Sequence, residues 1–589
     1  MKLRPESEKK TATASEDFKS NLEDGFRYVD KTELLIPLLN REHETTFFLR
    51  PRRFGKTLTL SMIRYFVENT RDEDLNKENR ELFRGLKIMK AGEAYTKQMT
   101  SYPVINLTLQ AVNADQFADA WQILCDLIQN LYSEKRYLLK SSILEEEERN
   151  YYLRILRGTD DQGKKVTKSD YSTSLKQLTC FLRKDSGKRV VVLIDEYDVP
   201  LEKAYSNGYY QDMVNVIGPI LQNVLKTNSQ NLQFAVITGC LRIAKEGIYT
   251  GLNNPNVNTV LSSRGSDVIG FTEEETRKLL LDSGVEEHYE QVKDWYDGYR
   301  FGDTVIYNPW SVINFIEDLN ANPKAPPLTY WANTSGNAII RELAERSNTE
   351  TKKKVEQVMQ GKEISFALRD TIVYNELYAD PNNVLNVMLS AGYLTATAFD
   401  GKTIHARIPN REVLRIYQDQ ISAWFRESIK TFDVRTLYTA LENGNASQIE
   451  KILTQEFLSA MSYYDTTEAF YHGVLLSLMQ LNQNYLCVSN RESGTGRFDI
   501  MAKHQLSWDL AYILEVKVSK TTSDLLSDAR KGARQIAKKE YLTELQREGY
   551  QKILTYSISF CQKRCRVVPG CQVINGKILH QQVALPKNY

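Results

Sequence analysis

Four short apolar runs constrain the fold of the first half of this chain. They are TTFFL (45–49), YPVINLTL (102–109), RVVVLIDEYD (189–198) and LQFAVITG (232–239). Each run is rich in β-branched or aromatic residues, none alternates strictly, and polar or helical stretches separate them. Such strands indicate a parallel sheet that is covered by helices on both faces. We therefore predict an α/β domain over residues 25–265, preceded by a polar N-terminal tail over residues 1–24.

Three further regions follow this domain. Residues 266–349 have a helical pattern. Residues 350–430 combine helices with a hairpin at Asp400-Gly401, an order compatible with a winged helix. Residues 431–589 contain a helical linker and then helix, three strands, helix and strand, which predicts a mixed αβββαβ layer fold.

Composition excludes several function classes. No apolar run approaches the roughly 20 residues of a membrane span, and the polar N-terminus lacks the apolar segment of a secretory signal, so we expect a cytoplasmic protein without membrane contact. The net charge of +1 gives no overall attraction to nucleic acid. The seven cysteines lack the paired CxxC spacing of a zinc site, which favours reduced thiols.

The stretch LRPRRFGKTLTL (49–60) has the features of a phosphate-binding loop. Gly55-Lys56-Thr57 follow a predicted strand and begin a predicted helix. Gly55 lets the backbone approach a phosphate, Lys56 can reach the β and γ oxygens, and Thr57 can offer its hydroxyl to Mg²⁺. The helix N-terminus adds its dipole and unpaired N–H groups.

An arginine stands where such loops usually carry their first glycine. Pro51 fixes φ near the same corner and can compensate for that loss. Arg50, Arg52 and Arg53 can bind phosphate, or they can face a neighbouring subunit in a homo-oligomer. The candidate nucleotide-binding residues in this stretch are Arg50, Arg53, Gly55, Lys56, Thr57 and Leu58.

Two later strand ends complete this candidate site. Asp195 can hold Mg²⁺ through water and Glu196 can polarise the attacking water. Thr238 can sense the γ-phosphate, and Arg242, with Lys245 nearby, can neutralise charge that develops during phosphoryl transfer. An acidic loop and a capped turn with solvent-facing basic residues are the structural alternatives.

A second constellation lies in GRFDIMAK…LAYILEVKVSK. Alternation places Glu515 and Lys517 on one strand face, and Asp499 lies close to both if the two strands pair. Two carboxylates can bind Mg²⁺ or Mn²⁺, and a neighbouring lysine can help to deprotonate a metal-bound water. This is the equipment of metal-assisted phosphodiester hydrolysis.

Flanking residues extend this second constellation. Glu468 can add a third carboxylate, while Gln535 and Tyr541 on the following helix can contact the scissile strand. Residues 520–566 hold eleven Lys or Arg against five Asp or Glu, a net of +6 that can follow a nucleic-acid backbone. A purely structural ion pair beneath a solvated helix explains Glu515 and Lys517 equally well.

Together these stretches resemble the AAA-ATPase-like proteins that fuse a P-loop ATPase to a C-terminal PD-(D/E)xK nuclease domain. The resemblance rests on motifs in fixed order, which are YVDKTELL, FFLRPRRFGKTL, YPVINL, VVVLIDEYD, WYDGYRFG, YNPWSV, IPNREV, FYHG, SNRESGTGRFDI, LEVKV and ARQIAKKEY. In that family RPRRFGK is the usual form of the loop, so Arg50 is no sign of decay.

The resemblance implies a function for each part of the chain. It implies ATP–Mg²⁺ at Lys56, Thr57, Asp195 and Glu196, a helical lid over 266–349, and a winged-helix-like region over 350–430. It also implies a nuclease metal site that is formed by Glu468, Asp499, Glu515 and Lys517.

Two hypotheses follow for the whole chain. In the first, ATP hydrolysis gates or positions a nuclease that acts on nucleic acid, with DNA as the expected substrate, a coupling that suits defence against foreign DNA. In the second, ATP controls a switch or scaffold whose C-terminal domain binds nucleic acid without cutting it.

Overall fold

The computed structural model describes most of the chain in two compact units, each considered by itself below. The first unit holds residues up to 416 apart from two short stretches, and the second holds those two stretches together with residues from 417 onward. The described residues are 15–242, 255–331, 349–359, 361–369, 377, 380–417, 434–457, 468–480, 482, 484–489, 492–493, 496–497, 499–504, 510–538, 541–562 and 564–579.

A five-stranded parallel sheet lies at the centre of the first unit, in the order β2-β3-β4-β1-β5. Its strands are β1 (Thr45–Leu49), β2 (Val104–Thr108), β3 (Val190–Asp195), β4 (Leu232–Gly239) and β5 (Asn256–Asn258). The predicted parallel α/β domain is thereby confirmed, and β5 is a strand that the sequence did not indicate. Every residue of β1 and β3 is buried, as expected for strands covered on both faces.

Ten helices of the described chain surround this sheet. They are α1 (Phe18–Glu23), α2 (Leu35–Leu39), α3 (Lys56–Val67), α4 (Glu73–Glu81), α5 (Glu93–Thr96), α6 (Phe117–Glu134), α7 (Glu146–Arg157), α8 (Lys168–Ser186), α9 (Val199–Ser206) and α10 (Tyr210–Leu225). Helix α8 shows how local sequence sets such bounds. Thr167 and Asp170 cap its start reciprocally, and Gly187 ends it with a φ of +68°.

The expected polar tail is too long by at least one helix. Asp17 caps α1, and its carboxylate also accepts hydrogen bonds from Ser61 and Tyr65 of α3. Phe18 is fully buried, with its ring centroid 5.0 Å from that of Phe83. Burying such a ring stabilises the fold by roughly 2 kcal/mol, so a segment that looks polar is nonetheless part of the core.

Helices and short antiparallel strands follow in the rest of the first unit. The helices are α11 (Glu273–Asp282), α12 (Tyr289–Tyr296), α13 (Pro309–Ala321), α14 (Thr349–Met359) and α15 (Pro381–Ala391). The strands are β6 (Tyr299–Phe301), β7 (Thr304–Ile306), β8 (Ile364–Ala367), β9 (Thr395–Phe399) and β10 (Thr403–Arg407). The hairpin expected at Asp400-Gly401 joins β9 to β10, and β8 completes a three-stranded sheet.

A buried carboxylate ties two of these segments together. The Glu412 side chain is fully buried and accepts hydrogen bonds from Ser311 Oγ at 2.8 Å and from the Trp331 backbone N at 2.9 Å. Burial raises the pKa of Glu412 to about 7, although these hydrogen bonds favour the ionised form. Glu412 therefore links α13 and Trp331 to the segment that follows β10.

The second unit is a mixed sheet between two helical layers. Its helices are α16 (Val434–Glu442), α17 (Ala446–Lys451), α18 (Glu468–Gln480), α19 (Leu525–Lys538) and α20 (Tyr541–Arg547), with a π-helical turn at Ile452–Phe457. Its strands are β11 (Tyr485–Ser489), β12 (Glu492–Ser493), β13 (Gly496–Arg497), β14 (Ile500–His504), β15 (Leu510–Val518), β16 (Lys552–Cys561), β17 (Arg564–Pro569), β18 (Gln572–Ile574) and β19 (Lys577–Leu579).

The sheet of the second unit has the order β11-β14-β15-β16-β18-β19, and β17 also pairs with β16. Strands β15 and β16 are parallel, whereas the other pairs are antiparallel. The predicted αβββαβ order is present, with a β12–β13 ribbon, α20 and the strands β17 to β19 in addition. Tyr512, Leu514 and Val516 of β15 pack against α16 and α18, whereas Ala511 and Ile513 pack against α19 and α20.

Two chemical expectations can be compared with the described residues. There, no helix is both long enough and apolar enough to cross a bilayer. None of the seven cysteines forms a disulfide, and no group of three or more His, Cys, Asp or Glu gathers as metal ligands within the part of the chain described.

The buried carboxyl of Glu412 makes stability depend on pH. The folded protein keeps this proton up to a pH of about 7, whereas the ordinary value is 4.5. The contribution of the protonated Glu412 carboxyl to stability is therefore complete below pH 4.5 and is lost as the pH rises through about 7. The Glu412→Gln variant cannot ionise at this position. Its free energy of unfolding relative to the wild type should therefore increase by about 2–3 kcal/mol from pH 5 to pH 8.

Thermal unfolding of the variant and the wild type is measured at pH 5 and at pH 8. The difference between their Tm values should shift in favour of the variant at pH 8. The control is Glu290→Gln, which alters an exposed carboxylate on α12. A Tm difference for Glu412→Gln that does not change with pH would contradict the assignment.

Candidate functional site

The first candidate site lies where the parallel strands of the N-terminal sheet end. The registers pair Leu49 of β1 with Gly239 of β4, and Thr108 of β2 with Asp195 of β3. The carboxyl ends of all four strands therefore meet at one edge. Ligands bind at such edges in open α/β sheets.

The loop between β1 and α3 has a backbone that would let an anion approach closely. Gly55 caps α3 with a φ of +91°, a conformation that other residues rarely adopt. The Lys56 ammonium donates hydrogen bonds of 3.0 Å to the carbonyl oxygens of Arg50 and Pro51. The lysine thus folds across the loop and leaves its charge at the start of the helix, where the dipole also favours an anion.

Asp195 holds two hydroxyl groups from the neighbouring strand ends. Thr57 Oγ1 donates a hydrogen bond of 2.6 Å to Asp195 Oδ2, and the Thr238 hydroxyl donates to Asp195 Oδ1. The side chain of Thr238 is almost fully buried. Thr238 was expected to contact a nucleotide directly, but its hydroxyl is committed to Asp195, which places it one step behind the cavity.

Glu196 lies beside this pair in a strained conformation. Its φ is +51°, and its backbone N donates to Asp195 Oδ1 at 3.1 Å. Burial raises the pKa of the Glu196 carboxyl; Lys56 opposes this shift, while Asp195 and Asp198 add to it. A carboxyl with a raised pKa is better suited to accept a proton from water near neutral pH.

Asp198 is a functional candidate that the sequence reasoning missed. Its Oδ2 accepts hydrogen bonds from the backbone N of Cys240 at 2.7 Å and of Leu241 at 2.8 Å. The Tyr197 hydroxyl donates to the Leu241 carbonyl, and a Cβ on Gly239 would lie 2.6 Å from the Tyr197 ring. The signal was the complete IDEYD run, in which only the first two acids were assigned.

The segment after β4 is described only in part. Asp198 and Tyr197 fix its backbone as far as Leu241, and Arg242 follows directly and is half-buried. Lys245 lies outside the described residues. The proposed role of Arg242 in neutralising charge therefore stays a prediction.

Arg50 does not serve the role expected of it. Its guanidinium is fully buried and donates to the carbonyl oxygens of Leu49, Asn258 and Gly265 at 2.9–3.0 Å. Burial lowers the pKa of Arg50 to about 9. Instead of reaching a phosphate, the side chain joins the phosphate loop to β5 and to the segment that follows it.

The other two arginines of the loop line a cavity. Arg53 lies over the Trp310 ring, 4.4 Å from its centroid, and 3.5 Å from a carboxylate oxygen of Glu16. Arg52 Nη2 is 2.7 Å from Glu202 Oε2 of α9. The two guanidinium groups therefore reach different partners.

The cavity itself has a volume of about 280 Å³. Lys56, Thr57 and Glu196 are polar residues of its lining, and Leu58 also lines it. Its aromatic and apolar lining includes Tyr28, Val29, Phe271, Trp310 and Ile313. A helix N-terminus and aromatic rings around one cavity match the phosphate and the base of a nucleotide.

The second candidate site lies on the α19 face of the C-terminal sheet. Ile500 of β14 pairs with Leu514 of β15, so Asp499 lies one residue beyond this register, opposite Glu515. Asp499 Oδ2 accepts a hydrogen bond of 2.7 Å from the backbone N of Val516. The strands therefore bring Asp499 to Glu515 and Lys517, as the alternation argument requires.

Glu515 and Lys517 form an ion pair at this site. The distance between Lys517 Nζ and Glu515 Oε1 is 3.0 Å, and 1% of the Glu515 side chain is exposed against 23% for Lys517. Glu515 also pairs in register with Ser557 of β16, which is fully buried. An acid so deeply buried is costly unless a cation compensates it, and Lys517 supplies that charge in this structure.

The neighbouring helices bring further residues to the site. His472 of α18 lies with Nε2 2.7 Å from the carbonyl oxygen of Asp499, a contact that the sequence reasoning missed although FYHG was noted. Glu468 begins α18 one turn earlier, and Tyr541 begins α20, but both side chains lie outside the described residues. Gln535 is half-buried on α19, three residues after Gly532 and so on the same helix face.

The oxygen donors described at this second site are few. Asp499 and Glu515 are two carboxylates, the ligand type that Mg²⁺ and Mn²⁺ prefer. Among the described residues they gain no third acid, cysteine or histidine that would complete a metal cluster. The residues therefore fit a hard cation in chemistry, with Glu468 as the remaining candidate ligand.

Comparison with known proteins finds matches in two separate parts of the chain. Residues 13–249 match the AAA-ATPase-like family model, which is described as a predicted AAA-ATPase. Residues 466–569 match the model of the PD-(D/E)XK nuclease superfamily. The two matches fall on the domains that carry the two candidate sites.

One similar protein is known from Azotobacter chroococcum mcd 1, where it is described as an uncharacterized protein in the vnfD 5′ region. It is 26% identical over 376 residues, which cover 63% of this chain and 61% of that protein. The chain thus aligns with less than two thirds of this relative's length.

The close packing of α19 on β16 generates a prediction for the second site. A Cβ on Gly532 would overlap Ser557 Oγ and would lie 3.3 Å from Lys517 Cγ. Although alanine is the better helix former by about 1 kcal/mol, Gly532→Ala should destabilise the second unit by about 1–3 kcal/mol. Chemical unfolding measures the change.

Two further variants control this experiment. Arg534→Ala alters an exposed residue of the same helix and should change stability by about 0.5 kcal/mol or less. Adding Ser557→Gly to Gly532→Ala removes the overlapping hydroxyl and should recover part of the loss. A Gly532→Ala protein more stable than wild type would contradict the described packing.

Proposed function

We propose that this chain, which joins an AAA-ATPase-like domain to a PD-(D/E)XK nuclease superfamily domain, hydrolyses ATP at its first site and cleaves nucleic acid at its second. One observation carries the proposal, and it applies to both sites. Groups from separate segments of the chain meet at each site: Thr57 at the start of α3 donates to Asp195, and Asp499 accepts a hydrogen bond from the backbone N of Val516, beside Glu515.

At the first site each side chain has a separate task. Lys56 and the N-terminus of α3 bind the phosphates, and Thr57 and Asp195 are the residues that would hold Mg²⁺. The bound ion would supply positive charge against the β and γ oxygens. Glu196 orients the attacking water and accepts its proton, and Thr238 keeps Asp195 in place.

At the second site the acids and the lysine act on a phosphodiester. Asp499 and Glu515, with Glu468 as a further candidate, would hold Mg²⁺ or Mn²⁺, which would activate water and stabilise charge on the phosphate. Lys517 orients that water or stabilises the developing negative charge. Gln535 and Tyr541 are proposed to contact the scissile strand, and DNA is the proposed substrate.

We further propose that ATP turnover gates or positions the nuclease. Such coupling would confine cleavage to chosen nucleic acid, as a defence against foreign DNA requires. Support for the coupling comes from the joining of the two domains in one chain.

The ion pair at the second site favours an alternative function. Lys517 already neutralises the buried Glu515, and the described residues gather no complete set of metal ligands. A C-terminal domain of this kind can bind nucleic acid without cutting it, in which case ATP would control a switch or scaffold.

Incubation with nucleic acid distinguishes the two functions. Purified protein is mixed with plasmid DNA, linear DNA or RNA, with and without ATP, Mg²⁺ and Mn²⁺. Metal-dependent cleavage supports the nuclease. Nucleotide-dependent retention of uncut nucleic acid supports the switch and contradicts the nuclease.

Replacement of Lys517 tests the second site. Lys517→Ala should lower the cleavage rate by at least about 100-fold and leave ATP hydrolysis intact, because the charge beside Glu515 and Asp499 is removed. Lys577→Ala, which alters an exposed lysine of β19 outside the basic stretch 520–566, is the control and should cut at the wild-type rate. A Lys517→Ala protein that cuts DNA equally well would refute the site.

Replacement of Lys56 tests the first site. Lys56→Ala should abolish ATP binding, because the ammonium is the charge that lies over the phosphate loop. Isothermal titration with Mg-ATP measures the affinity. The matched control is Lys97→Ala, which removes an exposed lysine and should bind ATP as the wild type does. If Lys56→Ala binds ATP with wild-type affinity, the assignment of the nucleotide-binding site is wrong.

A further inference from the structure

The three arginines of the phosphate loop have three separate environments. Arg50 is sealed against backbone carbonyls, and Arg53 lies at the aromatic end of the cavity over Trp310. Arg52 lies on the side of the acids, where Glu202 holds its Nη2 at 2.7 Å. Of the three arginines, Arg52 alone both lines the cavity and lies beside the strand end that carries Glu196, in the part of the chain that the structure describes.

The surroundings of Arg52 are acidic. Burial by itself lowers the pKa of the guanidinium, but Glu202, the Cys240 thiol, Asp198 and Glu196 more than offset this and raise it. Glu196 lines the cavity, whereas Glu202 and Asp198 do not, and acids this close to it repel the phosphates of ATP unless a cation stands between them. Arg52 is a cation in that position, and its planar fork suits phosphate oxygens.

The backbone of Arg52 is held from a second direction. The Trp331 indole Nε1 donates a hydrogen bond of 3.2 Å to the Arg52 carbonyl. Gly392 packs so closely that a Cβ there would lie 2.9 Å from Pro51 Cβ. With its backbone and its charged end both fixed, the side chain is oriented before any ligand binds, which is what electrostatic catalysis requires.

We propose that Arg52 is a catalytic residue that contacts the γ-phosphate of ATP in cis and is aimed by Glu202, an inference that rests on the proposed ATPase function. In that reaction the water oxygen bonds to the γ-phosphorus while the bond to the β–γ bridging oxygen breaks. The proton passes to Glu196, and ADP and inorganic phosphate leave. Arg52 neutralises the negative charge on the γ oxygens throughout.

Three variants test this role, and a fourth serves as their control. Arg52→Ala should lower kcat about 100-fold, as loss of one transition-state donor does elsewhere. It should also weaken ATP binding about 10-fold while ADP binding changes less than about 3-fold, because only ATP has the contacted phosphate. Arg52→Lys keeps the charge without the fork and should lose about 10-fold in kcat. Glu202→Gln leaves Arg52 in place and should lose less than Arg52→Ala.

Lys203→Ala is the matched control. Lys203 lies on the same helix α9 and pairs with Asp115 at 3.1 Å, away from the cavity lining. Its kcat and nucleotide affinities should stay within about 2-fold of wild type, as for an exposed ion pair. The Kd values for Mg-ATP and Mg-ADP and the rate of phosphate release are measured for each protein.

The outcomes separate the two proposals. A wild-type protein that binds no nucleotide overturns the proposed ATPase and Arg52's role with it. An active wild type with an Arg52→Ala variant at wild-type kcat, or one that loses ATP and ADP affinity equally, overturns Arg52's role alone and leaves a structural ion pair. If Arg52→Ala does not fold, Arg52→Lys decides, because wild-type kcat and ATP preference in that variant contradict the proposal.

Discussion

The carboxylate of Asp195 joins the strand ends on which the N-terminal site is built. It accepts a hydroxyl from Thr57 at the start of α3 and another from Thr238 at the end of β4. Because these strands are parallel, their carboxyl ends lie at one edge, and one acid can therefore connect three segments of chain. The positions of Lys56 and Glu196 follow from this arrangement, since each directly adjoins one of the connected residues.

Charge compensation governs both sites, but it is achieved differently in each. At the first site Arg52 contacts Glu202 at 2.7 Å, while Lys56 and Glu196 line an open cavity that leaves room for a ligand. At the second site Lys517 contacts Glu515 directly, and almost none of that acid is exposed. Any cation that binds Glu515 must therefore compete with a lysine already in place.

Local patterns predicted the strands, their parallel order and the faces that Glu515 and Lys517 share, because hydrophobic periodicity is a property of neighbouring residues. They did not predict Arg50's partners, which are carbonyls of residues 258 and 265, or the clamp of Asp198 on Cys240 and Leu241. Those contacts depend on how distant segments pack. The tail was misread for the same reason, since Phe18 is buried against the rings of Tyr28, Tyr65 and Phe83, which lie elsewhere in the sequence.

The phosphate loop is held by residues that lie far from it in the sequence, as far as Gly392 on Pro51, and this bears on how the protein can be divided. Trp331 binds the Arg52 carbonyl, Gly392 packs on Pro51, and Glu412 in turn holds Trp331. A fragment truncated at residue 265 would retain the Gly-Lys-Thr tripeptide without the groups that shape it. The compact N-terminal unit accordingly extends to about residue 416, beyond the boundary at residue 265 that the sequence pattern indicated.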